Sequence, residues 1–220
     1  GGGGGGGGLV ATVSGLVPGM QTGLVNSVDG DVKGIQLGLI NSGNELVGLQ
    51  LGLVNSTSNS TTGVQYGLVN SSADVKGVQV GLVNSSADVI GVQIGLVNSA
   101  KTLRGLQLGL INSVDKVEKG LPIGFLSFVK QGGYKALEFL YNSVYPLNIA
   151  FKTGVRELYT YPILSYDPRM ANDRFAFGYG IGSNLDIAEH LFVNPELDWL
   201  HQISLDFNHF TTFRFNLGYC

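Results

Sequence analysis

The ten residues from Val75 to Asn84, VKGVQVGLVN, are followed by SSAD and then by VIGVQIGLVN. Copies of Gly-Leu-(Val/Ile)-Asn-Ser begin at Gly23, Gly38, Gly52, Gly67, Gly81, Gly95 and Gly109, spaced 15, 14, 15, 14, 14 and 14 residues apart. A unit this short cannot bury an apolar face by itself, so neighbouring copies must pack on one another. The extra residue falls between the serine and the next glycine, as in NSTSNSTTG beside NSSADVKG, which marks that side as a turn. Decayed copies precede the series at GLVAT and VPGMQTGLVN. The series ends in GLPIGFLSF, where Pro122 takes the glutamine position. The expected organisation is a glycine-only leader at 1–8, a placeholder or disordered; repeat strands at 9–128; and further strands at 129–220 in the same barrel.

Within a copy, alternation, β-branched residues and two glycines favour a strand, because each glycine would weaken a helix by about 1 kcal/mol. Splitting Val75–Asn84 by parity puts Val75, Gly77, Gln79, Gly81 and Val83 on one face. Lys76, Val78, Val80, Leu82 and Asn84 fall on the other. Both faces are nearly palindromic about Gln79. Ten extended residues at ~3.3 Å travel about 33 Å, which four turn residues cannot retrace. An antiparallel meander needs no return, and a palindromic strand sets like beside like in it. A parallel β-solenoid requires the strand to bend at its glycines. In its favour, Asn26, Asn41, Asn55, Asn70, Asn84, Asn98 and Asn112 could then stack as a ladder.

Only 13% of the residues are charged, about half the usual share, which implies that much of the outer surface faces something other than water. A formal net charge of -3 argues against a nucleic-acid partner. No stretch approaches the ~18 apolar residues of a spanning helix, and no signal peptide is visible, so the chain reads as a mature product or a fragment. A transmembrane β-strand, by contrast, has about 9 to 11 residues alternating apolar outside with small or polar inside. The expected fold is therefore all-β: a single antiparallel transmembrane barrel of roughly 14 to 16 strands, with β-solenoid repeats followed by a C-terminal barrel or sheet as the alternative. Val78, Val80, Leu82, Val92, Ile94 and Leu96 are expected to face lipid. Gln21, Gln36, Gln50, Gln65, Gln79, Gln93 and Gln107 are expected to form an inward belt, wet enough that one Gln→Leu change costs about 1 kcal/mol or less.

From about Gly120 the segments become longer and richer in Tyr and Phe: YPLNIAFKTGVRELYTYPILSYDP, DRFAFGYGIGSNLDIA, HLFVNPELDWLHQI and HFTTFRFNLGYC. They read as barrel strands with aromatic girdles. Tyr134–Ser143 fits either a strand or a short helix. The GLQLGLINS and GVQIGLVNS units, followed by GLPIGFLSFVK and FGYGIGSNLDIAEHLFVNPELDW, resemble a surface-repeat family of Gram-negative outer-membrane proteins. The resemblance covers about residues 15 to 220 and implies an outer-membrane location, with lipid and other outer-membrane proteins as partners. It brings no reaction and no catalytic residue.

No chemical signal in the sequence points to an enzyme. GYGIG at Gly178–Gly182 imitates part of a dinucleotide fingerprint, but no helix pattern follows it, so it reads as strand. His190, His201 and His209 share no metal-ligand spacing. No serine elbow is present. Glu196, Asp198 and Asp167 are more at home lining a lumen or closing a strand than as an acid/base pair. Cys220 is alone, the repeat glycines lack the aspartate of a calcium β-roll, and the sequons arise from the repeat itself. No catalytic, cofactor or metal site is therefore expected. Two functions stay open: a barrel acting as a pore or accessory subunit of an outer-membrane complex, and a surface-exposed repeat module, adhesive or structural, held by a C-terminal anchor. Repeat turns of only about four residues argue against elaborate ligand capture.

Overall fold

The computed structural model describes residues 7–171, 174–188, 191–203 and 209–219. Among them there is no helix, and the chain divides into two compact units, Gly1–Pro122 and Ile123–Cys220. The first unit contains β1 (Gly7–Ser14), β2 (Val17–Asp29), β3 (Val32–Leu37), β4 (Ile40–Gly43), β5 (Leu46–Leu51), β6 (Val54–Tyr66) and β7 (Val69–Val80), followed by the extended run β8 (Val83–Gln131), whose end past Pro122 belongs to the second unit.

Every pairing in this unit is parallel and sets a residue against its counterpart one repeat on: Gln65 against Gln79, Asn70 against Asn84, Gly77 against Gly91. The repeats are thus coils of a β-solenoid, and the antiparallel barrel expected for them is overturned. The strand does bend at its glycines. Gly77 has φ of +148° and Gly91 of +145°, a region that only glycine enters freely. A Cβ on Gly77 would lie 2.0 Å from the carbonyl oxygen of Gly63 in the coil before. A second bend at Gly81–Leu82 divides the presumed ten-residue strand into Val75–Val80 and Val83–Ser86, so the chain closes its circuit within 14 residues.

The second bend also reverses parity. Val83, expected beside Gln79, is 40% exposed, and Asn84, expected on the opposite face, is fully buried. Each coil therefore sends in an aliphatic residue such as Val75 or Val89, a glutamine, an asparagine and a small residue such as Ser72 or Ala100. In the longer coil the irregularity falls between Thr57 and Ser60, on the serine side where the sequence places its length variation.

The second unit is an antiparallel sheet of β9 (Tyr134–Leu140), β10 (Leu147–Val155), β11 (Leu158–Tyr166), β12 (Phe175–Gly182), β13 (Leu185–Ala188), β14 (Leu191–Gln202) and β15 (His209–Tyr219). Their order is β13-β14-β12-β11-β10-β9, with β15 also on β14. The ambiguous Tyr134 segment is a strand. GYGIG lies on β12, and its glycines are steric: a Cβ on Gly180 would stand 2.3 Å from the Tyr161 ring. The end of β8 lies against this sheet, where Gly124 O accepts from Thr160 Oγ1 and Tyr179 Oη, both at 2.6 Å.

Candidate functional site

The seven glutamines expected to belt the inner wall of a barrel are each buried, at 0% exposure, inside the coils of the solenoid. They do not ring a wet lumen at mid-height. They stack along the solenoid in one column, because parallel coils in register place each Gln over the last. Gln79 Nε2 donates to Gln65 Oε1 at 2.7 Å, Gln93 Nε2 donates to Gln79 Oε1 at 2.7 Å, and the column runs so from Gln107 back to Gln21. A second column is formed by the asparagines and runs the other way: Asn70 Nδ2 donates to Asn84 Oδ1 and Asn84 Nδ2 to Asn98 Oδ1, both at 2.8 Å. The second N–H of each of these asparagines reaches a backbone carbonyl, Val80 O or Ile94 O, at 2.9 Å.

Two amide ladders with opposed directions cancel each other's dipole and leave one raw acceptor at each end. These are Asn26 Oδ1, whose register partner on β1 is Ala11, and Gln107 Oε1, whose next position is Pro122. Inside the coils a primary amide donates two N–H groups and accepts at its oxygen without charge, which is what a buried, self-stacking position demands.

The outer surface is divided along the coil. Val78, Val80 and Val92 are half-buried, and Leu82, Ile94 and Leu96 are exposed at 48%, 41% and 53%; all six lie outside the amide core. They form an aliphatic edge around the Gly81–Leu82 bend. The opposite corner carries hydroxyls and charge: Ser56, Ser71, Ser85 and Lys101 line one shallow cleft, and Arg104 and Lys116 meet Glu118 at 2.5 and 3.2 Å. Those two cations hold the Glu118 carboxyl below the usual carboxylate range.

The C-terminal sheet divides its surfaces more sharply. On one face Lys152 Nζ contacts Glu196 Oε1 at 2.5 Å and also pairs with Glu138. Arg214 binds Glu196 at 2.9 Å and Asp198 at 2.8 Å. Tyr159 Oη donates to Glu196 and Tyr161 Oη to Asp198, at 2.5 and 2.6 Å. Lys152, Glu196 and Asp198 are buried. The opposite parity presents Leu137, Phe139, Phe177, Trp199, Phe213 and Phe215, all exposed. Glu196 and Asp198 are thus the anions of a buried ion network. Asp167 closes β11 as expected, its carboxyl held low by Arg169 at 2.7 Å.

Sequence reasoning missed Lys152 and Arg214, although both share strand parity with this network. It also separated His201 from His209, which face each other across β14 and β15 with Nδ1 atoms 2.7 Å apart. His190 lies outside the described residues. No protein-family model, curated protein or solved structure matches the chain.

Proposed function

We propose that the chain is a non-enzymatic structural repeat protein of the bacterial outer membrane, in which a surface-exposed β-solenoid with a scaffolding or adhesive role is carried by a C-terminal sheet that anchors in lipid. The observation that carries this reading is the reversed polarity of the sheet. Lys152 and Glu196 are buried, while Phe139 and Phe213 are 76% and 68% exposed. In water, burying charge costs several kcal/mol per ion and a bare aromatic face invites association. Against hydrocarbon the aromatic face is solvated by lipid tails, and the charges lie on the face turned away from the lipid. The resemblance of the repeat units and of FVNPELDW to surface-repeat outer-membrane proteins supports the same location, with outer-membrane lipid as the partner. Solenoid coils filled by amide side chains favour a structural role over conduction, since a pore needs a wet lumen.

The test is flotation of the full chain with vesicles of bacterial phospholipid, alongside size-exclusion chromatography with and without detergent. Co-flotation that survives high salt, and aggregation on detergent removal, are the expected results. A chain that stays monodisperse without detergent and remains below the vesicle layer refutes the anchor. Phe213→Lys with Phe215→Lys places two charges on the exposed face and should weaken flotation while leaving the buried ion network in place.

A further inference from the structure

A groove of about 430 Å³ runs across the coils at the aliphatic edge of the solenoid. Gly67, Gly81 and Gly95 lie along its floor, with Val80 and Ile94 on one side and the leucine column of Leu82 on the other. A Cβ on Gly81 would stand 2.5 Å from Gly67 O, so the floor can carry no side chain. Its N–H groups are already engaged: Gly67 N–H donates to Val80 O, Gly81 N–H to Ile94 O and Leu82 N–H to Leu68 O, at 2.9 to 3.0 Å. A peptide strand would find no free donor there to pair with. An occupant has to bring apolar knobs alone, spaced at the coil repeat of ~4.8 Å.

This chain presents such a row itself. Leu53, Leu68, Leu82 and Leu96 stand beside the groove at one per coil, each about half exposed. Ridge and groove share a period and lie side by side, so a two-fold axis parallel to the solenoid axis drops each ridge into the other copy's groove. An axis across the solenoid would set ridge on ridge. We propose that the solenoid pairs through this edge with a second copy of the chain, side by side and parallel in register, the leucine column of each copy seated on the glycine floor of the other. Such an isologous contact closes at two copies and does not propagate.

Cysteine cross-linking of the full chain tests this. In a Cys220→Ser background, Leu53→Cys, Leu82→Cys and Leu96→Cys each alter an exposed position and spare the coil core. Oxidation in mild detergent and in membranes is expected to join like positions, 53 to 53, 82 to 82 and 96 to 96, and light scattering is expected to give twice the 23.2 kDa chain mass. Adding Leu68→Lys and Leu96→Lys should cut the 82-to-82 yield at least about tenfold, because charge would be driven into an apolar contact. The circular dichroism of that variant should match the parent. A one-chain mass at every concentration overturns the proposal, as do 53-to-96 links alone or equal linking at Ser85→Cys on the polar corner. A monomer whose leucine column is labelled by a photoreactive acyl chain assigns the edge to lipid instead. Flotation without like-position links overturns the pairing and leaves the anchor standing; links without flotation do the reverse.

Discussion

Replacing Gln79 by leucine tests the amide column most directly. Its Nε2 donates to Gln65 Oε1, and its own Oε1 accepts from Gln93 Nε2 at 2.7 Å and from Ser86 Oγ at 3.1 Å. Leucine strands all three groups in a site with 0% exposure. Each of the three orphaned buried groups costs about 1 to 3 kcal/mol, and the added apolar burial returns about 2 kcal/mol, so the expected loss is about 1 to 7 kcal/mol. The middle of that range, about 4 kcal/mol, exceeds the 1 kcal/mol expected for a wet lumen. Double mutants separate the column from a set of independent residues. Gln65→Leu with Gln79→Leu leaves Gln50 Oε1, Gln93 Nε2 and Ser86 Oγ unpaired, again three groups, and should cost little more than Gln79→Leu alone. Gln36→Leu with Gln79→Leu opens two gaps with no shared neighbour and should cost about twice as much. Urea titrations followed by far-UV circular dichroism measure the parent and all three variants. Equal, additive losses for the two doubles, or a single-mutant loss under about 1 kcal/mol, would refute hydrogen-bonded stacking.

Gly77→Ala should abolish the folded coil, since the new Cβ meets Gly63 O at 2.0 Å at φ of +148°, whereas Gly15→Ala, with φ of +82° and open space around it, should cost only the local strain of about 1 to 2 kcal/mol; melting curves of the two variants compare them. Ala11→Asn should stabilise the solenoid by about 1 kcal/mol by donating to the raw acceptor Asn26 Oδ1, and a lower urea midpoint would contradict it. Lys152→Met removes the buried partner of Glu196 and Glu138 and should destabilise the C-terminal unit by about 3 to 5 kcal/mol, read from the near-ultraviolet signal of Trp199 and the tyrosines. The Asp167 carboxyl is held low by Arg169, so its contribution is complete above the ordinary carboxylate pKa and lost as pH falls through the depressed folded value. Asp167→Asn should flatten that acid limb, seen as a smaller difference from the parent at low pH than at neutral pH.

Much was legible locally. The period, the strand character and the break at Pro122 follow from alternation and spacing, which act over a few residues; the dry burial of the glutamines does not, since the same pattern fits a wet inner wall. The same alternation, with its palindrome about Gln79, is equally consistent with parallel and antiparallel neighbours. Strand direction was therefore decided by contacts between copies: Gly77 against Gly63 O, and Asn70 against Asn84. Those contacts admit a bend that only glycine can make, and the bend in turn sends Val83 outward and Asn84 inward. In the C-terminal sheet, pattern alone separated the apolar parity from the polar one. It could not join Lys152 to Glu196, 44 residues away, or Tyr161 to Asp198, 37 away, because such pairings depend on which strands become neighbours. Sequence determines which face of a strand seeks burial; the tertiary fold decides against what, since hydrogen-bond partners are supplied by neighbouring strands whose order no local pattern encodes.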